Sequence, residues 1–178
     1  MTSAMNKFGL IFFALMVIGG VAFFLLREDV PDLSINEFMA HNESCCPDMA
    51  SGQPEYEDWI EIYNGGKVAV DIGGMYFSQN KKEPLGFHIP DSDPSLTTIQ
   101  PGGFLVVWAD DAPAQGTLHL KFKLDQDGEY VGLFDKNGRT VDGLKFGTQH
   151  GNISYGRSPD GGTTWKEFST PTPGRSNN

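Results

Sequence analysis

Short stretches in which apolar and polar residues alternate recur along the chain beyond residue 33. The clearest is DWIEIYN at 58–64, in which Ile60 and Ile62 alternate with aromatic and acidic neighbours. A period of two with β-branched and aromatic side chains predicts a β-strand with two differently used faces. Asn-Gly-Gly at 64–66 then supplies turn chemistry. We expect this strand to lie in the middle of a sandwich of sheets.

Similar short runs, separated by Gly, Pro, Asn and Asp, continue to the end of the chain. The apolar run at 104–109 predicts a strand buried on both faces, and Asn-Gly at 137–138 predicts a tight hairpin turn. Strands joined by turns every ~8–12 residues are typical of an all-β sandwich or barrel. The other predicted strands are 34–40, 68–72, 75–78, 86–90, 118–122, 130–134, 140–142, 144–146, 152–157 and 165–168.

Two polar segments lack this alternation and are predicted to be loops. The longer, 41–57, contains both cysteines, and the shorter, 79–84, reads QNKKEP. Long loops within compact domains often carry function, so these loops are the expected contact surfaces.

Residues 8–26 form an uncharged, strongly apolar run, which as a helix would extend about 28 Å, close to the thickness of bilayer hydrocarbon. The run predicts a single N-terminal transmembrane helix. The flanking charges favour residues 1–7 in the cytoplasm. A short tether at 27–32 would then join the anchor to a domain at 33–174 outside the cytoplasm, followed by a tail at 175–178.

The alternative for this apolar run is a signal peptide that is cleaved on secretion. Signal peptides have apolar cores of roughly 7–15 residues and a small-x-small cleavage site. The run here is longer, and it ends in FFLLRE at 23–28, without such a site. An uncleaved, single-pass membrane anchor is therefore the preferred interpretation.

The chain is acidic, with 23 Asp and Glu against 13 Lys and Arg and a net charge of −10. Such a surface is repelled by nucleic-acid phosphates, which are bound mainly through Lys and Arg. Nucleic acid is therefore not an expected partner. The charge keeps a domain soluble, or it serves the binding of divalent cations.

The order of these motifs resembles the lamin tail domain family. The resemblance implies an all-β, immunoglobulin-like β-sandwich with a binding or structural role and no enzymatic reaction. A bacterial, membrane-anchored member is indicated, because an apolar anchor rather than a coiled-coil rod precedes the domain. The matching stretches are INE at 35–37, DWIEIYN at 58–64, VDIGGMYFS at 70–78, IQPGGFLVVWA at 99–109, FKL at 122–124, GEYVGLF at 128–134, VD at 141–142, FG at 146–147, SYGR at 154–157 and TPTPG at 170–174.

The two adjacent cysteines, Cys45 and Cys46, leave three interpretations open. They could be free thiols, a vicinal disulfide with redox activity, or half of a metal site with His41 and Asp48. Structural zinc sites usually space their cysteines by two to four residues, which fits adjacent cysteines poorly.

Calcium is the one cofactor that the acidic residues suggest. Glu37, Asp58, Glu61 and Asp71 lie on or near the early strands and offer the oxygen ligands that calcium prefers. Their spacing matches no established calcium loop, and acids at strand ends are ordinarily solvated. No other cofactor is expected.

Aromatic residues on the early strands are the candidates for ligand contact. Trp59, Tyr63 and Tyr76 could form a platform for a sugar ring or a peptide, with His41 as a further contact, or they could cover the core. The four histidines are scattered and no Gly-x-Ser-x-Gly motif occurs, so we expect no hydrolase.

The sequence therefore predicts a non-enzymatic, membrane-anchored interaction or scaffolding module at the cell envelope. Its partner would be an envelope protein or a glycan met by the sandwich loops. The alternative is a redox-active or metal-binding envelope protein that acts through Cys45 and Cys46.

Overall fold

The computed structural model describes residues 16–18, 21–23 and 29–177, and in this part of the chain strands far outnumber helices. The helices are α1 (Pro94–Thr97) and a 3₁₀ turn at Pro113–Gln115. The strands are β1 (Met16–Ile18), β2 (Val21–Phe23), β3 (Leu33–Met39), β4 (Asp58–Asn64), β5 (Val70–Asp71), β6 (Tyr76–Ser78), β7 (Phe87–His88), β8 (Thr98–Ile99), β9 (Phe104–Ala109), β10 (Tyr130–Phe134), β11 (Thr140–Lys145), β12 (Ser154–Arg157) and β13 (Trp165–Phe168).

A five-stranded antiparallel sheet in the order β13-β12-β3-β4-β9 is built around the strand at 58–64. Along β4, Ile60 is paired with Phe38 on one side and with Val107 on the other. These residues are buried in the core, which confirms the inward face predicted by the alternation. The central β3–β4 pair therefore supplies much of the apolar surface of this sheet.

A four-stranded sheet in the order β11-β10-β6-β7 contributes Phe77, Val131 and Leu133 to the same core. Both sheets thus bury one face in a shared apolar layer, as in a β-sandwich. Two small antiparallel pairs, β5–β8 and β1–β2, complete the described strands.

Asp142 links the two sheets through polar contacts. Its Oδ2 accepts hydrogen bonds from the backbone N–H of Ile35 on β3 and from the Arg157 guanidinium on β12, both at 2.8 Å. Arg157 also donates through Nε to the carbonyl of Ile35 at 2.8 Å. A carboxylate from the four-stranded sheet therefore fixes where β11 lies against β3 and β12.

The prediction that 104–109 is buried on both faces is wrong. The strand has the predicted bounds, but β9 is the outermost strand of its sheet, and only Val107 and Ala109 are buried in it. The segment 118–122, predicted to be a regular strand, instead forms isolated bridges beside β9. The backbone N–H of Trp108 donates to the carbonyl of Leu118, and the carbonyl of Trp108 accepts from the N–H of Leu120. This segment therefore covers part of the sheet edge.

Several other boundaries differ from the predicted ones. The stretches 140–142 and 144–146 form one strand, β11, and the hairpin turn predicted at 137–138 joins it to β10. Helix α1 was not predicted from the sequence. It begins at Pro94 and is capped by Asp93, whose Oδ1 accepts from the N–H of Ser95 at 3.0 Å.

The predicted anchor at 8–26 lies mostly outside the described residues. The two pieces of it that are described, β1 and β2, pair with each other in antiparallel fashion. In the described part of the chain, none of the helices has the length and apolar character needed to span a bilayer. The anchor remains a prediction.

The burial of the β3–β4 pair in the core predicts that two truncations of apolar side chains will differ clearly in their effect on stability. Ile62→Ala removes a fully buried side chain and should lower the free energy of unfolding by about 2–5 kcal/mol. Val68→Ala is the matched control, because Val68 is 70% exposed and should change stability by less than about 0.5 kcal/mol. Denaturant unfolding of the full-length protein in detergent measures both. Equal effects would contradict this assignment of the core.

Candidate functional site

The outer face of the five-stranded sheet contains two buried acidic residues. Glu37 on β3 is paired in register with Glu61 on β4, and neither has any solvent exposure. A register shift between Ile35 and Glu37 also brings Asn36 into this polar layer, where it is fully buried. Buried carboxylates are tolerated only when hydrogen-bond donors surround them, so the donors decide what this face can do.

Several of those donors come from residues 171–177, here called the strap. Thr172 donates to Glu37 through its N–H at 3.1 Å and through its hydroxyl at 2.7 Å. The N–H of Gly174 donates to Oε2 of Glu61 at 2.6 Å. The strap therefore lies across the two acidic residues and provides backbone and side-chain donors to both.

Asn177 and Asp160 fasten the far end of the strap. The Asn177 amide donates to the carbonyls of Asn36 and Arg157 at 3.2 and 2.9 Å, and its N–H donates to Oδ1 of Asp160 at 2.9 Å. Asn36 donates both to Asp160 and to Glu61, each at 3.0 Å. The result is a continuous network that links β3, β4, the 158–162 turn and the strap.

This environment shifts the protonation of Glu61. Burial raises its pKa to about 8, and the nearby charges of Glu37 and Asp160 act in the same direction. Hydrogen bonds from Asn36 and Gly174 oppose the shift. At neutral pH, Glu61 therefore holds a proton more readily than an exposed glutamate would.

The loop at 41–57 has a definite conformation. Asp48 and Glu55 exchange backbone hydrogen bonds at 2.8 and 2.9 Å, and the Asn42 amide donates to the carbonyl of Glu57 at 2.9 Å. Ahead of the Asp48–Glu55 bridge, the half-buried Cys45 and Cys46 are bonded to each other. The disulfide therefore lies in a structured loop.

Beside this loop, three titratable side chains from separate parts of the chain meet. Asp48 comes from the loop, Asp110 follows β9, and His119 lies in the segment that covers the edge of β9. One ligand atom from each lies within 4.8 Å of the others. Among the described residues, this is the one group of three or more His, Cys, Asp or Glu with that geometry.

An open groove lies on the opposite sheet, against β6 and β7. The loop at 79–84 forms part of it, and Lys121 and Phe122 form another wall. Gly86 lies so close to β6 that a Cβ there would come within 2.5 Å of the carbonyl oxygen of Phe77. A side chain at position 86 would therefore force β6 and β7 apart and alter the groove.

Comparison with family models gives a match to the lamin tail domain over residues 27–148, which is more than half of the 178 residues. The chain belongs to the lamin tail domain family. Comparison with curated proteins and with solved structures gives no significant match. The family is an immunoglobulin-like one whose members generally act as non-enzymatic interaction modules, in agreement with the fold class predicted above.

The match covers only part of this lamin tail domain as it folds here. Glu37 and Glu61 lie within residues 27–148, whereas β12, β13 and the strap lie beyond them. Yet β12 pairs directly with β3, and the strap provides donors to both acidic residues. The folded unit therefore extends to Asn177.

The four acidic residues suggested as calcium ligands do not form one site. Glu37 and Glu61 are neighbours, but both are occupied by the strap. Asp71 accepts from the hydroxyl of Thr97 at 2.5 Å and from the N–H of Gly73 at 2.8 Å. Asp58 accepts from the N–H of Leu124 at 3.3 Å, and burial raises its pKa to about 6.

The predicted aromatic platform is also not assembled. Trp59 has no solvent exposure, so its ring is not available to a ligand. Tyr63 packs on Phe104 with ring centroids 5.0 Å apart, while Tyr76 lies on the other sheet, next to His88. The alternation of β4 indicates which face Trp59 lies on, but not that other parts of the chain cover this face.

His41 lies at the start of the 41–57 loop, and its Nε2 is 3.2 Å from Oε1 of Glu43. It does not join Cys45, Cys46 and Asp48 in the metal site considered from the sequence. Sequence reasoning missed the grouping of Asp48 with Asp110 and His119. The available signal was the pair of an acid and a histidine nine residues apart after a strand.

The pKa of Glu61 predicts how stability depends on pH. Between its ordinary value of 4.5 and about 8, the folded protein holds a proton that the unfolded chain releases. The free energy of unfolding should therefore fall as pH rises through this window, by up to about 1.4 kcal/mol per pH unit from this group. Denaturant unfolding of wild type and Glu61→Gln from pH 5 to 8 measures this pH dependence. The variant should lack the part of the slope that Glu61 contributes.

Asp58→Asn provides the matched control for that experiment. The pKa of Asp58 is raised only to about 6, so this variant should keep the wild-type slope between pH 6.5 and 8. If Glu61→Gln retained the full wild-type slope in that range, Glu61 could not be the titrating group.

Proposed function

We propose that this lamin tail domain is a non-enzymatic interaction or scaffolding module at the cell envelope, anchored in the membrane by residues 8–26 with its domain outside the cytoplasm. The interaction role is supported by the family, which is generally non-enzymatic. The membrane anchor is supported by the apolar run and its flanking charges.

The groove against β6 and β7 is the observation on which the proposed contact surface rests. It combines apolar rings, Phe87 and Phe122, with polar groups from Gln79 and Asn80, and Lys121 lies at its rim. Concave surfaces with apolar walls and a few polar groups are the usual form of binding sites. The groove also includes the 79–84 loop that was expected to be a contact surface.

An extended segment of an envelope protein is the partner that suits this groove best. Among the strands that the structure describes, β7 is the outermost of its sheet and pairs on one side only. Free strand edges bind extended peptides through backbone hydrogen bonds, while neighbouring pockets accept side chains. Leu85, which is 61% exposed beside the groove, adds apolar surface for such a segment.

Site-specific photo-crosslinking in cells tests this proposal. A photoreactive residue at Leu85 should give a covalent adduct with a discrete envelope protein, whereas one at Thr163, exposed near β13, should not. Lys121→Glu should reduce the adduct yield severalfold, because it reverses a charge at the rim. Lys145→Glu on the exposed end of β11 is the matched control and should leave the yield unchanged.

The same adduct from both positions, or no adduct from Leu85, would contradict the proposed surface. Retention of a purified glycan by the wild-type protein, sensitive to Lys121→Glu, would replace the protein partner with a glycan.

A second candidate function is redox chemistry at Cys45 and Cys46, which is favoured by their mutual disulfide in a structured loop. This disulfide would exchange with two thiols of a partner: the first forms a mixed disulfide with one cysteine, and the second displaces that cysteine, so that the partner gains a disulfide as Cys45 and Cys46 become thiols. The Cys45→Ser, Cys46→Ser double variant tests this candidate. If this variant still forms the adduct at Leu85 but loses its phenotype completely, the redox function is favoured.

A further inference from the structure

We propose that Asp48, Asp110 and His119 form a binding site for a divalent transition-metal ion of the zinc class. The three side chains come from the 41–57 loop, the end of β9 and the segment that covers the β9 edge. Each residue is more than nine-tenths buried. The proposed metal site depends on neither the membrane anchor nor the groove.

The carboxylates are oriented as metal ligands would be. Oδ1 of Asp48 accepts from the N–H of Ala50 at 3.0 Å, and Oδ1 of Asp110 accepts from the N–H of Ala112 at 2.9 Å. These backbone contacts leave the Oδ2 atom of each acid near Nδ1 of His119, at 2.6 Å for Asp110 and 3.8 Å for Asp48. Outer hydrogen bonds that orient ligands in this way are typical of metal sites.

Oδ2 of Asp48 is the carboxylate oxygen of this cluster that lacks a hydrogen-bond donor. This oxygen is buried and has no hydrogen-bond partner, since the 3.8 Å to His119 is too long for a hydrogen bond. A buried carboxylate oxygen without a donor is costly. An ion between Asp48, Asp110 and His119 would satisfy it directly.

Charge balance points in the same direction. A divalent ion carries the charge that offsets a pair of carboxylate ligands, and a neutral imidazole ligand adds none. Lys123 bridges to Asp110 through its backbone, but its ammonium group donates to Glu57 at 2.9 Å. The ammonium group of Lys123 is therefore already engaged by another acid.

The ligand types select the class of metal. Calcium and magnesium prefer oxygen ligands throughout, whereas an imidazole nitrogen with carboxylates suits zinc and its neighbours. Ligand atoms about 2.0–2.1 Å from a tetrahedral ion lie about 3.3 Å apart. The spacings of 2.6 and 3.8 Å lie on either side of that value, so each needs to change by less than ~1 Å.

A metal ion at this position would tie the 41–57 loop to the edge of β9. With three protein ligands, one coordination position would remain for water or for a side chain of a partner. Cys45 and Cys46 would not take part, because they are bonded to each other.

Metal binding by the full-length protein in detergent tests this inference. After exposure to ZnCl₂ and dialysis, wild type should retain one zinc ion per chain by elemental analysis, and CaCl₂ or MgCl₂ should not displace it. Cobalt(II) should give the visible absorption bands of a tetrahedral complex. Asp48→Asn should weaken zinc affinity at least ~100-fold, since it removes a charged ligand.

Asp127→Asn is the matched control, because Asp127 is an exposed acid in a turn, and it should bind zinc as wild type does. Without metal, Asp48→Asn should unfold no more easily than wild type, because the oxygen of the new amide can still accept from the N–H of Ala50. This comparison separates a binding defect from a folding defect. Equal zinc retention by wild type and Asp48→Asn would overturn the inference. Zinc binding that is lost only in the Cys45→Ser, Cys46→Ser variant would do so as well.

Discussion

The need to provide hydrogen-bond partners to two buried glutamate side chains shapes one whole face of this domain. Glu37 and Glu61 face each other across β3 and β4 with no access to water. Neither could remain there unless other parts of the chain supplied donors. Ser154 on β12 supplies one to Glu37, Asn36 supplies one to Glu61, and the strap supplies the rest. The acidic pair therefore makes the last residues of the domain part of its core structure.

This arrangement also divides the surface of the molecule. The strap occupies the outer face of the five-stranded sheet near the acidic pair, so that face is closed to a ligand there. The open concave surface lies instead against β6 and β7, on the other sheet. The 41–57 loop lies at the five-stranded sheet: Asp48 is beside Asp110 at the end of β9, whereas the N–H groups of Glu43 and Ser44, next to the disulfide, donate to Asn152 ahead of β12. The proposed contact surface and the proposed metal site can therefore be altered separately by mutation.

Local patterns predicted much of the sheet structure. The bounds of β4, β9, β10 and β13 follow from alternation, from a continuous apolar run in the case of β9, and from turn residues, all of which depend on neighbours in sequence. The position of β9 at the sheet edge could not be predicted in this way, because strand order depends on pairing between distant segments. The same applies to 118–122, whose alternation is typical of a strand although it forms only isolated bridges.

The chemistry was harder to predict because its groups are far apart in sequence. Thr172 and Glu37 are separated by 135 positions, and Gly174 and Glu61 by 113. The sequence suggested Glu37 and Glu61 as calcium ligands, because no nearby residue indicates that the strap will cover them. The grouping of Asp48 with Asp110 and His119 likewise depends on how the loop packs against β9.

Hydrogen exchange at the strap is the most direct test of the central claim that residues 171–177 are integral to the fold. The N–H groups of Thr172 and Gly174 donate to buried carboxylates, so their exchange, followed by NMR on the full-length protein, should be nearly as slow as that of amides in β4. Exchange at the unprotected rate expected for the exposed Ser169 and Thr170 would contradict the account, because the acidic pair would then lack its donors.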